Sequence, residues 1–324
     1  MEVFSIDLRV LALYRIAAGL VTIVDLLLRW PAMSLWLGPD TFHPAELARA
    51  DLPICLSVHA LNDSWWMQVV LYLLALGAAI SLTVGYRSRW SAALSWYLLT
   101  SLLLRNPHLV DAGDSFFAVS LVWLMFLPCG ETWSVDSRRN GTSGTTAVCS
   151  LASAGLLLQP ALAFFFSGIA KMHGSTWPGG TAIRVAVGDD AWAQPFGLWL
   201  VESPTRVAMA THATLVLEMA GPLLLLLAPR RELVRPVVLL ALFGLTAGMG
   251  LSIQLQLIPL KVAITLIPFL PGWILDRLSK TEFRVRGLGE PEHHWLRRWV
   301  PAYLLVTLVL LNVQGVSRFG SPTG

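Results

Sequence analysis

A primary amine at the end of an apolar helix is the group in this chain best placed to move a proton. Residues 164–180, FFFSGIAKMHGSTWPGG, run from an aromatic helical stretch into Lys171, His173 and a turn that begins at Trp177. Helical spacing of three and four puts Phe164, Ser167, Gly168 and Lys171 on one stripe, where the small residues would let a neighbouring helix approach the face carrying the amine. A free lysine titrates near 10.4 and burial can lower that by several units, so an amine enclosed by aromatic side chains can act as a base near neutral pH. In a wet site it stays protonated, and a lysine at a helix end can also simply reach up to the headgroups. Trp177 and the glycines of the turn could enclose a flat ring beside it.

Other polar groups inside apolar stretches follow from the same question. Glu218 shares a helical stripe with Thr211 and Thr214, which reads either as the polar lining of a cavity or as one half of a structural ion pair, with Arg15 a candidate partner. His173 lies two residues from Lys171 and faces another way on a helix, so capping or interfacial duty suits it better than proton shuttling. Arg15 and Asp25 read as structural groups turned toward a protein interior. Asp111 and Asp114 read as caps of the helix that follows, because two carboxylates without a third ligand at a defined spacing do not make a metal site. Three cysteines match neither a disulfide framework nor a zinc motif.

The elements that must position these groups are membrane helices. The chain has 324 residues, of which 55% are hydrophobic and 13% charged, with a mean hydropathy of +0.64, against about 25% charged in an average soluble domain. Apolar runs recur from Leu8 to Val313 with no polar block longer than a loop, which predicts an all-α, polytopic transmembrane bundle of about nine helices forming a single membrane domain over 1–324. The expected spans are 9–29, 65–86, 90–104, 115–129, 150–173, 207–228, 237–253, 260–274 and 299–312, with a charged cytoplasmic loop over 276–298 and no cleaved signal peptide at the N-terminus. Prolines exclude a long helix between Trp30 and Ser64. The segment between Gly174 and Arg206 reads as short interfacial helices on the outer side, and that between Glu131 and Cys149 as a flexible loop.

Charge sets the expected orientation. Loops after the second, fourth, sixth and eighth helices hold two, two, three and six Lys or Arg residues, which predicts a cytoplasmic N-terminus, an outer C-terminus and Lys171 at the outer end. A net charge of +3 and a pI of 8.9 are then a matter of topology, with no nucleic-acid partner implied. The partners expected are the lipid bilayer and a small or peptide substrate. A transporter is disfavoured by the absence of an internal repeat or paired broken helices.

An ordered set of blocks carries a family resemblance: LYRIAAGLVTIVDLLLR, LSVHALNDSWWMQ followed by VGYRSR, RNPHLVDAGD, WSVD, FFFSGIAKMHGSTW and LVLEMAGP. Together, over about 8–274, they resemble the HTTM domain, the membrane part of vitamin K-dependent gamma-glutamyl carboxylase. The resemblance implies a lysine base, Lys171 by the GIAK spacing, that deprotonates reduced vitamin K or another quinol. Oxygen then forms an epoxide through a strong base that prepares glutamate for addition of CO2. No metal is implied. Two departures weigh on the carry-over: no large extramembrane domain follows the last helix, which makes peptide carboxylation doubtful, and Thr246 stands where relatives carry a histidine. The alternative is a non-enzymatic multi-pass protein acting through protein partners.

Overall fold

The computed structural model describes residues 2–278 except 39–40, 42, 52–56, 107–109, 142–146, 189–191 and 229–230. The expected final helix over 299–312, nearly all of the charged loop over 276–298, and Cys55 lie outside the described residues. Two compact units divide the described residues: Leu8–Val148 forms one, and Cys149 to Leu278, with the N-terminal residues to Asp7, forms the other.

In the first unit, α1 (Leu8–Arg29) packs on α4 (Trp65–Val84), α4 on α5 (Ser88–Arg105), and α5 on α6 (Ala112–Phe126). Between α1 and α4 the chain makes only short pieces, including α2 (Met33–Leu37) and α3 (Ala45–Asp51), as its prolines dictate. Helix α4 ends at Gly85, which adopts φ +71° and lies against the Arg15 guanidinium, so that a side chain would be both strained and obstructed there. Asp111 and Asp114 form a reciprocal capping box at the start of α6, satisfying two N–H groups that the helix itself cannot. The segment expected to be a flexible loop contains a further helix, α7 (Val135–Asn140), opened by a Ser134–Ser137 capping box and tied down by Asp136.

The second unit is organised around α8 (Leu151–Met172) and α11 (Pro204–Leu227), which pack along each other, with α12 (Arg231–Ser252) against α11. The connection from α8 to α11 contains two short helices, α9 (Ala182–Val187) and α10 (Pro195–Val201), in keeping with the short helices expected there. Pro222 lies inside α11 one turn beyond Glu218, and having no N–H it deprives the Glu218 carbonyl of its helical donor. The continuous eighth helix expected over 260–274 is instead three pieces: α13 (Ile258–Ile264), a tight 3₁₀ turn at Ile267–Phe269 and α14 (Gly272–Leu278). Pro268 and Pro271 account for the breaks, since neither can donate to the ladder.

The protein is all-α in class. Among the described residues five helical segments are long and apolar enough to cross a membrane: Leu8–Leu37, Trp65–Val84, Leu151–Met172, Pro204–Leu227 and Glu232–Ser252. Large apolar side chains stand exposed along these helices, Leu73 and Leu74 on α4 and Val237 and Leu240 on α12 among them, as a bilayer environment requires.

Candidate functional site

Lys171 sits in the last turn of α8, where the chain must leave the helix. Its stripe-mate Gly168 is buried against α11, and a Cβ there would lie 2.6 Å from the Met219 side chain and 3.4 Å from the Glu218 Cβ. The missing side chain is what lets α11 come close enough to present Glu218 to the amine. The Lys171 Nζ donates to the Ser167 hydroxyl at 2.8 Å and to Glu218 Oε1 at 2.6 Å, and contacts Glu218 Oε2 as well. The Trp177 ring centroid lies 4.9 Å from the same nitrogen, within cation–π range. The lysine side chain is 22% exposed and the glutamate side chain 7%, so the carboxylate is enclosed while the lysine keeps an open flank.

The turn that holds the tryptophan is built from its own backbone. Gly179 N–H donates to the Ser175 carbonyl at 2.9 Å, Gly180 N–H to that of Trp177 at 3.1 Å, and Thr181 N–H to that of Thr176 at 2.9 Å. Two contacts then fasten this region to α11: the His212 Nε2 donates to the Pro178 carbonyl at 3.2 Å, and the Ile183 N–H donates to the Thr211 hydroxyl at 3.3 Å.

Of the residues singled out in the sequence, Lys171, Ser167, Gly168, Trp177 and Glu218 are brought together, with Phe164 buried one turn further along α8. Glu218 takes Lys171 as its partner, whereas Arg15 in the first unit donates to the Trp133 carbonyl at 2.6 Å. His173 is exposed, bonds the Ile169 carbonyl of its own helix at 3.0 Å through Nδ1, and makes no contact with Lys171 among those described. The Thr214 hydroxyl donates to the Ala210 carbonyl at 2.9 Å, and that of Thr246 to Phe243 at 2.9 Å, so both serve their own helices.

The remaining polar groups form structural networks in the first unit. Arg29 joins Asp25 at 3.0 Å and grips both carboxylate oxygens of Asp114 at 2.8 Å, linking α1 to the cap of α6. A second network escaped the sequence reading altogether. Arg105 binds the His43 carbonyl and, at 2.6 Å, Asp63, while the buried His59 pairs through Nδ1 with Gln68 Oε1 at 2.7 Å. Because the Gln68 amide nitrogen donates to two backbone carbonyls, His59 Nδ1 must carry the proton of this bond. Burial holds His59 below its ordinary pKa, with Arg105 adding to the effect against the Gln68 bond. Lys261, in the apolar run of α13, is also fully buried; its only sequence signal was a lone cation between aliphatic residues.

Among the described residues no group of three or more His, Cys, Asp or Glu is placed to hold a metal ion. Comparison with curated proteins and with solved structures gives no match. The HTTM domain profile matches residues 4–270, most of the chain and all of the helices that build both the ion pair and the structural networks; this protein belongs to the HTTM domain family.

Proposed function

We propose that Lys171 and Glu218 form the proton-transfer centre of a membrane enzyme acting on a lipid quinol, with this end of α8 and α11 on the outer side. The observation that carries the reading is the amine held by a carboxylate and a hydroxyl beside an aromatic ring, at the end of a membrane helix and with one flank open. The donor set suits a phenolic ligand: an amine to take a proton and a flat ring, Trp177, to lie against.

A lysine works as a base only when neutral. Transfer of one proton from Nζ to Glu218 turns an ammonium and a carboxylate into an amine and a carboxylic acid, removing two charges at once and keeping the hydrogen bond between them. Excluding water from the open flank when a quinol binds would favour that neutral form over the ion pair. The amine then accepts the hydroxyl proton of the quinol at Nζ, while Ser167 Oγ stays in reach to orient the nitrogen. A reduced quinone would supply the acidic hydroxyl and the two electrons that oxygen takes up.

The test is oxygen-dependent quinol oxidation by the purified protein, with reduced vitamin K as probe. Lys171→Ala should abolish turnover while the protein stays folded. Lys171→Arg should fail to restore it, because a guanidinium does not give up its proton in proteins. Full turnover in the arginine variant, or none by the wild type, would overturn the reading. Orientation is checked separately by labelling intact cells: a Ser143→Cys variant should not react with an impermeant reagent added outside.

A further inference from the structure

A second site lies in the first unit, away from the groups used so far. The turn joining α4 to α5 and the short helix α7 enclose a cavity of about 490 Å3, walled by Arg87, Arg89, Trp90, Glu131 and Asn140 among others. That volume is within the range of small-ligand sites, about 300–1,000 Å3. Its walls are latched together. Asp136 accepts from the Arg87 N–H at 2.8 Å, the Ser88 N–H at 2.7 Å and the Ser88 hydroxyl at 2.8 Å, while its own N–H donates to the Gly85 carbonyl at 3.0 Å. Asp136 is thereby committed to the fold.

Two charge types line the cavity. The Arg87 guanidinium stacks on the Tyr86 ring at 5.9 Å, with Arg139 at the same distance from that ring, and among the described residues no carboxylate pairs with Arg87. Glu131, in the same lining, is half-buried, and its carboxylate has no hydrogen-bond partner among the described residues. A lining that holds both a guanidinium and a carboxylate suits a ligand carrying an anion and a cation a few bonds apart. A purely anionic ligand would leave Glu131 facing like charge.

The aromatic side chains around the cavity place it beside the bilayer surface. Membrane helix α4 ends at Val84, and beside the cavity Trp90 is 76% exposed and Tyr86 40%, as aromatic side chains at the headgroup level of a bilayer are. We propose that this cavity binds the headgroup of a zwitterionic phospholipid with a primary ammonium, phosphatidylethanolamine, its phosphate at Arg87 and its ammonium at Glu131. A choline headgroup has no N–H to give the carboxylate. Free phosphoethanolamine shares the polar chemistry and lacks the acyl chains that would lie past Trp90.

The test uses the delipidated full-length protein in detergent, native mass spectrometry, and four probes: dioleoyl-phosphatidylethanolamine, dioleoyl-phosphatidylcholine, dioleoyl-phosphatidylglycerol and soluble O-phosphoethanolamine. Wild type should hold the ethanolamine lipid about tenfold more tightly than either other lipid, the scale of one charge-assisted hydrogen bond. Glu131→Gln should erase that preference, and Arg87→Gln should weaken all three lipids, each variant keeping the wild-type melting temperature within about 2 °C. Equal binding of the three lipids by wild type, or an unchanged preference in Glu131→Gln, overturns the proposal. Displacement of the lipid by equimolar phosphoethanolamine would overturn the lipid assignment by making this a site for the soluble headgroup.

Discussion

Removing the Glu218 carboxylate should cost more than removing the whole ion pair. In the native site the Lys171 ammonium has three neighbours: Ser167, Glu218 and the Trp177 face. Glu218→Leu takes away the charged acceptor and leaves the ammonium with a hydroxyl and a ring. Loss of one partner from a fully buried pair costs about 3–5 kcal/mol, and the open flank of Lys171, 22% exposed, lets water reach it and brings the expectation down to about 2–3 kcal/mol. Glu218→Gln keeps a carbonyl oxygen for the amine and should cost about half as much. In Lys171→Met with Glu218→Leu, neither charge is left stranded, so the double variant should melt above the Glu218→Leu single variant. At about 2 °C per kcal/mol for a chain of this size, thermal melts in detergent should show losses of about 5 °C for Leu, about 2–3 °C for Gln, and recovery of most of the Leu loss in the double variant. A double variant whose loss equals the sum of the two singles would show that the pair is not coupled, and the proton-transfer proposal would lose its footing with it.

Two further outcomes follow from groups beyond the ends of the long helices, Cys129 among them because α6 stops at Phe126, short of the end expected for that span. Burial opposes ionisation of Asp136, yet hydrogen bonds from Ser88 and Arg87 hold its carboxyl below the ordinary value. A depressed carboxyl contributes stability above its unfolded pKa, near 3.9, and loses it as pH falls through the lower folded value; the stability gap between wild type and Asp136→Asn, read from melts at pH 6 to 3, should therefore shrink below about pH 4, and a constant gap would contradict the assignment. Burial pushes the Cys129 thiol up to about 11, Arg15 only partly countering it, so at pH 8 iodoacetamide should leave Cys129 unmodified in the folded protein and label it after denaturation. Labelling of folded Cys129 as fast as of Cys149 would refute this.

How far the sequence could be read depended on what each signal measures. Apolar runs locate helices because a spanning segment must be apolar over most of its length, and α1, α4, α8 and α11 begin and end within a few residues of expectation. The same averaging misled at α13, where hydropathy stays high across Pro268 and Pro271 although the backbone cannot remain helical through them. Helical periodicity identified the face of α8 that carries Gly168 and Lys171, since that is a property of one helix. It could not say which residue of another helix would meet that face, so Glu218 was legible as a carboxylate needing a partner and the partner was not. The Arg105–Asp63 and His59–Gln68 contacts stayed hidden for a related reason: their residues sit at the ends of helices and in the proline-rich connection, where no period operates.

Helix α11 carries the carboxylate and also, through His212 and Thr211, anchors the turn that bears Trp177. The carboxylate is therefore mounted on the α11 arm, while the aromatic ring, which follows Lys171 closely in the chain, is tied to both helices. The arm has a weak point: Pro222 leaves the Glu218 carbonyl without its helical N–H, so bending is easiest directly below the carboxylate. A swing of the Pro204–Glu218 segment about that point would lengthen the Lys171–Glu218 contact and pull on the turn that bears Trp177. The pairing of the amine thus depends on how closely α8 and α11 stay packed, and a lipid that wedges between them would part the lysine from its carboxylate.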